Sequence, residues 1–390
     1  MSESVRRVKA FDFKTVLLTT AIIAITMAFC TQMGAANFFS TVMKTSYKLL
    51  MDTVFYIIAL CVLAGALGGF MGEFGILSLL NWLLAPAVRL LWGMPGAATI
   101  GATTTYISDN PAILTLASDQ KFIGYFKEYQ KPALTNFGTS FGMGLILTAY
   151  MMTLKGGPNG DKGYFVEAII GNFGAIIGSI VSTRMMLHFT KKYLGNQQET
   201  ATDKNLFEYR EIREGTLFQR AFDSVLEGGK GGLNMGMQII PGVLVVCTFV
   251  LMITNDTTGG GNGSEYTGAA MQGIPILPWI GQHIFMPLKW MFGFQSPEAI
   301  AFPITSLGAA GAALSMVPDL LKQGYIGGNE IAVFTAMGMC WSGYLSTHVA
   351  MMDAMGYRKL TMKAISCHTI AGIVAGMVAH YSYLLYINFA

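Results

Sequence analysis

The chain has 390 residues, of which 53% are hydrophobic and only 12% are charged, and its formal net charge is +3. Soluble domains carry roughly twice this charged fraction, about 25%. Because so few polar side chains cannot cover a surface exposed to water, the composition excludes a soluble enzyme and indicates a polytopic membrane protein. The basic residues lie between the apolar stretches, as membrane orientation requires, so the positive charge does not imply a nucleic-acid partner.

In the first half, a spanning helix is predicted wherever about 20 mainly apolar residues follow one another. This criterion predicts spans at 15–36, 49–72, 132–153 and 164–189. Residues 76–93 contain tryptophan, proline and arginine, which predicts a helix lying at the membrane interface. Residues 96–118 are rich in Thr and Ser and contain Ser-Asp-Asn-Pro. They predict a broken helix, which a membrane tolerates only where protein or water surrounds it.

The segment 190–230 is the most charged part of the chain and predicts a cytoplasmic linker. After it the order of elements recurs: a span at 232–254, an interfacial helix at 275–294, a broken segment at 297–318, and spans at 329–352 and 364–388. The polar, basic N-terminus shows no cleavable signal peptide, so we place it in the cytoplasm.

The recurrence predicts an all-α membrane protein, a polytopic helical bundle with an inverted-topology repeat and two re-entrant hairpins. With the N-terminus inside, equivalent spans of the two halves point in opposite directions. The chain then divides into an extra first helix (1–45), a first half (46–189), the linker (190–230) and a second half (231–390). Chance similarity between two apolar, Pro-containing stretches is the alternative explanation.

The sharpest motif is the polar run at 103–111, and its candidate binding residues are Thr104, Thr105, Tyr106, Ser108, Asp109 and Asn110. An unwound chain at this point exposes helix ends and carbonyls that attract anions and cations. An acid inside a membrane segment is a functional hypothesis by default. A tight turn in which Asp109 caps a helix that starts at Pro111 explains the same residues, and the two interpretations are compatible.

Three further groups are candidates for substrate or ion binding: Thr305 and Ser306 in the second broken segment; Asn136, Thr139 and Ser140 on one helical face; and Ser342, Ser346, Thr347 and His348 in the span 329–352. A histidine in a span suggests a proton relay or a substrate contact. Helix packing and interhelical hydrogen bonds explain each group equally well.

Enzyme motifs are missing from the sequence: there is no Walker loop, no H-E-x-x-H and no G-x-S-x-G. The five cysteines form no C-x-x-C pair, so no metal site is predicted. We expect neither catalysis nor a cofactor. Active transport would then depend on a gradient of Na⁺ or H⁺.

The chain resembles membrane proteins of the nucleoside-recognition, or Gate, domain group, which includes the spore maturation proteins A and B. It is distantly similar to concentrative nucleoside transporters. The resemblance covers roughly residues 45–390 and rests on the broken segments at 103–111 and 302–316, GKGGLNMGMQIIPGVLVV at 229–246, and LSTHVAMMDAM at 345–355.

This resemblance implies paired hairpins that bind substrate and ion between their tips, with Ser108, Asp109 and Asn110 at the first tip and Thr305 and Ser306 at the second. Asp109-Asn110-Pro111 stands where nucleoside transporters have a glutamate-bearing motif. The resemblance also implies a bacterial cytoplasmic (inner) membrane protein.

The leading hypothesis is a secondary transporter of a small polar organic solute, nucleoside-like, amino-acid-like or an organic anion, working by alternating access. The alternative is a non-transporting membrane component, such as a sensor or partner subunit. An intramembrane enzyme acting through His348 and Asp353 is a third reading. The expected partners are the solute, the lipid bilayer and, if it oligomerises, further copies of the chain.

Overall fold

The computed structural model describes residues 11–118, 120–156, 160, 162–195, 212–238, 240–257 and 265–389. All regular structure within these ranges is helical. In this part of the chain five helices are long and apolar enough to cross a membrane, at Phe13–Met33, Ala35–Glu73, Phe165–Leu194, Leu217–Thr254 and Arg358–Phe389. The prediction of an all-α, multi-pass membrane protein is confirmed.

The described residues up to 195 form nine helices, which are the extra first helix α1 (Phe13–Met33) and then α2 (Ala35–Glu73), α3 (Ile76–Trp92), α4 (Ala98–Ile107), α5 (Pro111–Ser118), α6 (Gln120–Ile123), α7 (Lys131–Thr139), α8 (Gly144–Thr153) and α9 (Phe165–Leu194). Helix α1 is capped by Asp12, whose carboxylate accepts from the backbone of Thr15 at 2.8 Å. Gly34, with φ of 81°, separates α1 from α2, so the second helix starts well before its predicted beginning at residue 49.

The second half follows the same order in its described residues, with α10 (Leu217–Thr254), α11 (Ile276–His283), α12 (Phe285–Phe292), α13 (Ala301–Ser306), α14 (Ala310–Leu314), α15 (Val317–Lys322), α16 (Gly328–Cys340), α17 (Tyr344–Ala354) and α18 (Thr361–Phe389). Short 3₁₀ turns, Pro297–Ile300 and Arg358–Leu360, precede α13 and α18.

The predicted linker 190–230 is shorter than expected, because α10 begins at Leu217. Residues 196–211 of that prediction lie outside the described residues. The ion pairs of Glu73 explain the early start of α10. Its carboxylate lies 2.7 Å from Nε of Arg220 and 2.9 Å from Nη1 of Arg213, so the end of α2 binds the beginning of α10.

Glycines bring α2 and α10 into backbone contact. A Cβ added to Gly65 would overlap the carbonyl of Gly228, and one added to Gly232 would overlap the carbonyl of Cys61. Small residues four apart allow such close approach in membrane helices, where packing replaces the hydrophobic effect. The two longest helices of the described chain therefore form one closely packed pair.

The predicted spans 132–153 and 329–352 are not continuous helices. The first is interrupted at 140–143, between α7 and α8, and the second at 341–343, between α16 and α17. Met143 and Gly343 start the following helices with left-handed φ values of 53° and 54°. Hydropathy missed both interruptions because apolar side chains continue through them, while the freed backbone groups find partners inside the protein.

Equivalent positions of the two halves share local geometry. Gly93 and Gly293 end α3 and α12 with φ values of 73° and 68°. The carbonyl of each accepts a side-chain amide at 3.1 Å, from Gln130 and from Asn329 respectively. The order of elements and these contacts recur along the chain, while opposite membrane orientation of the halves stays a prediction.

Candidate functional site

The first broken segment forms a tip between α4 and α5. Ser108 leaves helical geometry with φ of −112° and ψ of −114°. The carbonyls of Asp109 and Asn110 then accept the first hydrogen bonds of the next helix, from Ala112 at 2.9 Å and Ile113 at 3.2 Å. Pro111 suits the first position of α5 because it has no N–H to satisfy. Asp109 and Asn110 are thereby held outside both helices.

This tip contacts the break between α16 and α17. The side-chain amide of Asn110 donates to the carbonyl of Ser342, and the hydroxyl of Ser342 donates to the carboxylate of Asp109 at 3.3 Å. Residues more than 230 positions apart thus share two hydrogen bonds. The first tip and the second-half break form one contact.

The second tip, between α13 and α14, contacts the same break. Helix α13 ends at Ser306 and α14 begins at Ala310. The N–H of Gly343 donates to the carbonyl of Ser306 at 3.2 Å. A Cβ at Gly343 would lie 3.1 Å from the carbonyl oxygen of Gly308, and φ is positive there, so glycine suits this position on both counts.

The break in the first half, at 140–143, contacts the first tip and the break at 341–343. A Cβ added to Gly142 would lie 2.7 Å from Oδ1 of Asn110 and 2.8 Å from Cβ of Ser342. Sγ of Cys340 lies 3.9 Å from the carbonyl of Ser140. Four interruptions therefore meet, and we call them together the tip junction: Asp109 and Asn110, 140–143, 306–309 and 341–343.

The tip junction contains five of the candidate residues, Asp109, Asn110, Ser140, Ser306 and Ser342. The hydroxyls of Thr105, Ser108 and Thr305 instead bind carbonyls of their own helices, at 2.7, 2.7 and 2.8 Å. Thr104 is half-buried on α4, and its carbonyl accepts the bond from Ser108. The hydroxyl of Ser140 also turns back to its own helix, at 2.8 Å from the Asn136 carbonyl.

Tyr106 lies away from the tip. Its hydroxyl donates to Asn172 on α9 at 2.9 Å, and the amide of Asn172 donates to Thr148 on α8 at 2.8 Å. Tyr106 and Asn172 line a mainly apolar cavity of about 580 Å³ between α2, α3, α4 and α9. The structure therefore assigns Tyr106 to a different surface from the one predicted.

The face of Asn136 and Thr139 points toward the long helices. Asn136 donates to Ser182 on α9 and to the carbonyl of Ala364 on α18, both at 2.9 Å. The hydroxyl of Thr139 binds its own helix and lies 3.4 Å from Nε2 of His368. The two bonds of Asn136 are interhelical, and a role of Asn136 and Thr139 in substrate or ion binding stays a prediction. His368 was not predicted from the sequence as a candidate. It could have been, because the rule that an ionisable residue inside a span is a functional candidate applies to it as it does to His348.

The face of α17 divides into an inner and an outer side. His348 is fully buried, whereas Ser346 is exposed and Thr347 half-buried. The hydroxyls of Ser346 and Thr347 both return to the carbonyl of Gly343, at 3.1 and 3.2 Å. Of this group, His348 and Ser342 are the side chains buried in the protein.

Two buried amide oxygens at or near the tip junction accept no hydrogen bond from the described part of the chain. Oδ1 of Asn110 and Oδ1 of Asn136 are buried, with no hydrogen-bond partner among the described residues. A carboxylate and free amide oxygens are ligands suited to a hard cation. Within the same residues there is no group of three or more His, Cys, Asp or Glu side chains that would hold a transition metal.

No protein-family model and no curated protein sequence matches the chain. Its fold resembles solved structures of CNTnw, a concentrative nucleoside transporter. A CNTnw variant in an outward-facing state is 14% identical over 94% of this chain and 84% of that chain, with a TM-score of 0.53. CNTnw in an inward-facing substrate-bound state has the same four values. A variant in an intermediate state is 15% identical over 94% and 86%, with a TM-score of 0.54.

At this identity the likeness concerns the fold. Membership of the nucleoside-recognition group, with the spore maturation proteins, stays a prediction. The chain is an all-helical membrane protein that shares its fold with a concentrative nucleoside transporter.

Proposed function

We propose that the protein is a secondary active transporter of a small polar organic solute, coupled to Na⁺ or H⁺. The solute binds between the two tips, and Asp109, Asn110 and Ser342 provide the polar contacts. The observation that carries the proposal is the tip junction itself. A membrane bundle tolerates broken helices where they surround a binding site, and here four breaks meet at one place.

Transport by alternating access requires the tip junction to open. In this structure Asn110, Thr305 and Ser342 are buried, so the tips are closed on one another. A solute that replaces the bonds of Asn110 and Asp109 to Ser342 favours an open state by its differential affinity for that state. The fold shared with CNTnw, whose structures include outward-facing, intermediate and inward-facing states, supports this cycle.

The test is uptake into proteoliposomes that contain the purified protein, under an inward Na⁺ gradient, an inward H⁺ gradient or neither. Uridine is the first probe, because the structural neighbours are nucleoside transporters, followed by amino acids and organic anions. We expect gradient-driven accumulation of at least one solute. If none moves under any gradient, the protein is a non-transporting component and the proposal is wrong.

Ser342→Ala localises the site. It removes a hydroxyl that contacts the solute in this proposal, a hydrogen bond of roughly 0.5–1.5 kcal/mol, so we expect apparent solute affinity to fall by about two- to tenfold. Ser366→Ala is the matched control, because that exposed hydroxyl binds only the Met362 carbonyl of its own helix. Equal losses in both variants would contradict a site at the tip junction.

A further inference from the structure

Two buried histidines flank the break at 341–343. His368 on α18 contacts the carbonyl of Cys340, the last residue of α16, through Nε2. His348 contacts the carbonyl of Tyr344, the first residue of α17, through Nδ1 at 2.9 Å. Both side chains are fully buried, and their ring centroids are 4.7 Å apart. The pair therefore holds the backbone on both sides of the break that contacts both tips.

The carbonyl partners determine which nitrogens carry hydrogen, because a carbonyl oxygen only accepts. Nε2 of His368 is a donor, so its Nδ1 accepts from the Ser182 hydroxyl at 3.1 Å, and that hydroxyl accepts from Asn136. Nδ1 of His348 is a donor, so its Nε2 has a bare lone pair. No donor among the described residues reaches this Nε2. A buried basic nitrogen without a donor is an open position for one proton.

The surroundings allow the pair one proton and no more. Two charged imidazoles 4.7 Å apart would repel each other in a buried site. The titratable or charged residues on the elements packed against α17 are Lys131 on α7, Arg358 and Lys359 in the turn before α18, Lys363, Cys367 and His368 on the first half of α18, and Tyr344 and Asp353 on α17 itself. Helix α5 has none.

The carboxylates near these elements are already paired. Glu128 lies 2.8 Å from Lys131, and Asp353 lies 3.7 Å from Arg358. Asp109 reaches the break through the Ser342 hydroxyl rather than through either imidazole. A second positive charge on the histidine pair would therefore lack a counterion among the groups named here.

We propose that this histidine pair is the proton-binding site of the transporter and that H⁺ is the coupling ion. Nε2 of His348 takes one proton from water when the tip junction opens. The proton stays on His348 while the solute is bound and is released to water on the other side of the membrane. The junction then closes empty, because a charged ring without a partner is costly in the buried site. This inference rests on the proposed function and names its coupling ion.

The path from His348 to the tips is short. The carbonyl that His348 holds belongs to Tyr344, which directly follows Gly343, and the N–H of Gly343 binds Ser306 of the second tip. Ser342, one residue earlier, binds the first tip. A proton on His348 favours states in which this break is hydrated, and those are the states in which the tips separate.

The site can be titrated without a substrate. Protein labelled with ¹⁵N-histidine in lipid nanodiscs is followed by NMR from about pH 8 down to about pH 4. The range extends below the pH of about 5 to 8 at which an exposed histidine changes charge, because burial disfavours the charged ring. We expect one proton to bind to the pair, at Nε2 of His348, with the resonance assigned by its loss in His348→Asn. The Asn side chain places an N–H near the position of Nδ1, so the bond to the Tyr344 carbonyl is retained. An unchanged wild-type resonance over this range overturns the inference.

Transport separates this inference from the proposed function. An inward proton gradient should accelerate uridine uptake by the wild type, and His348→Asn should lose that acceleration while still exchanging uridine between equal concentrations. His188→Asn, an exposed histidine on α9, should behave as the wild type. If His348→Asn keeps proton-driven uptake, the histidine pair is not the proton site. If Na⁺ alone drives the wild type, H⁺ is not the coupling ion. The transporter proposal stands in either case. Absence of any solute movement in the wild type removes the transporter proposal, and the NMR titration still decides the proton site.

Discussion

Gly142 shows how closely the tip junction is packed. Its Cα faces the amide oxygen of Asn110 and Cβ of Ser342, at separations that leave no room for a methyl group. The residue belongs to the interruption between α7 and α8 and not to a regular helix. Any side chain at this position must displace Asn110, the residue that joins the first tip to the second-half break.

We therefore expect Gly142→Ala to destabilise the closed tips by about 1–3 kcal/mol, the usual effect of overpacking. Because the solute is proposed to bind the open state, apparent solute affinity should rise on the order of tenfold, as measured by concentration-dependent uptake. Gly231→Ala on α10 is the control, because a Cβ there meets nothing within 4 Å. Wild-type uptake by Gly142→Ala would show that the contact with Asn110 is unimportant.

At the scale of single residues, the sequence predicted a helix break where polar residues interrupt an apolar segment. Asp109 and Asn110 could be predicted because an acid and an X-Pro pair disturb a membrane helix. Gly142 and Gly343 could not, since glycine in an apolar stretch also fits simple helix packing. The partnership of His348 with His368 depends on tertiary contact between α17 and α18, which no single-sequence pattern contains.

Among the elements, α2 and α10 are the longest, and neither has a non-helical interruption along its described residues. Each contains one stretch of wider π-helical turns, at Leu49–Val54 and Gly242–Cys247. Their glycine faces bring the backbones together, and Glu73 with Arg213 and Arg220 joins the end of one to the start of the other. We call this closely packed pair the frame.

Gly65→Ala tests this frame. A Cβ at Gly65 overlaps the Gly228 carbonyl and lies 2.9 Å from N of Gly232, and backbone atoms yield less readily than a side-chain end. We expect destabilisation of about 1–3 kcal/mol, measured as a lower unfolding temperature in detergent. Gly72→Ala on the same helix meets only Leu77, at 3.8 Å, and should be neutral or stabilising by up to about 1 kcal/mol. Equal unfolding temperatures for the two variants would contradict a close crossing.

The predicted order of helices along the chain was largely correct. The prediction that 132–153 and 329–352 are continuous helices was wrong. The broken segments at 98–118 and 301–314 could be anticipated from Pro and polar residues. The breaks at 140–143 and 341–343 could not, because hydropathy averages over about 20 residues while an interruption occupies three or four. Their freed N–H and carbonyl groups are satisfied by distant tips, as with Gly343 and Ser306.

At the scale of the whole molecule, an ion pair joins the frame to α15, the helix that follows the second tip. Nζ of Lys48 on α2 lies 3.5 Å from the carboxylate of Asp319 on α15. Both line a cleft of about 360 Å³, together with Tyr56 and Lys155. If the broken helices move against α2 and α10 during transport, this pair must separate in each cycle.

A covalent bridge at this position should therefore stop transport. We expect Lys48→Cys with Asp319→Cys, joined by a short bifunctional maleimide, to abolish gradient-driven uptake while the unlinked double variant retains it. Exposed ion pairs contribute at most about 1 kcal/mol, so the loss of the pair alone cannot account for a complete block. The control is Asp353→Cys with Arg358→Cys, which bridges an exposed pair at the end of α17. Full uptake by the bridged Lys48 and Asp319 positions would show that α2 and α15 move together, and the frame would then have to include α15.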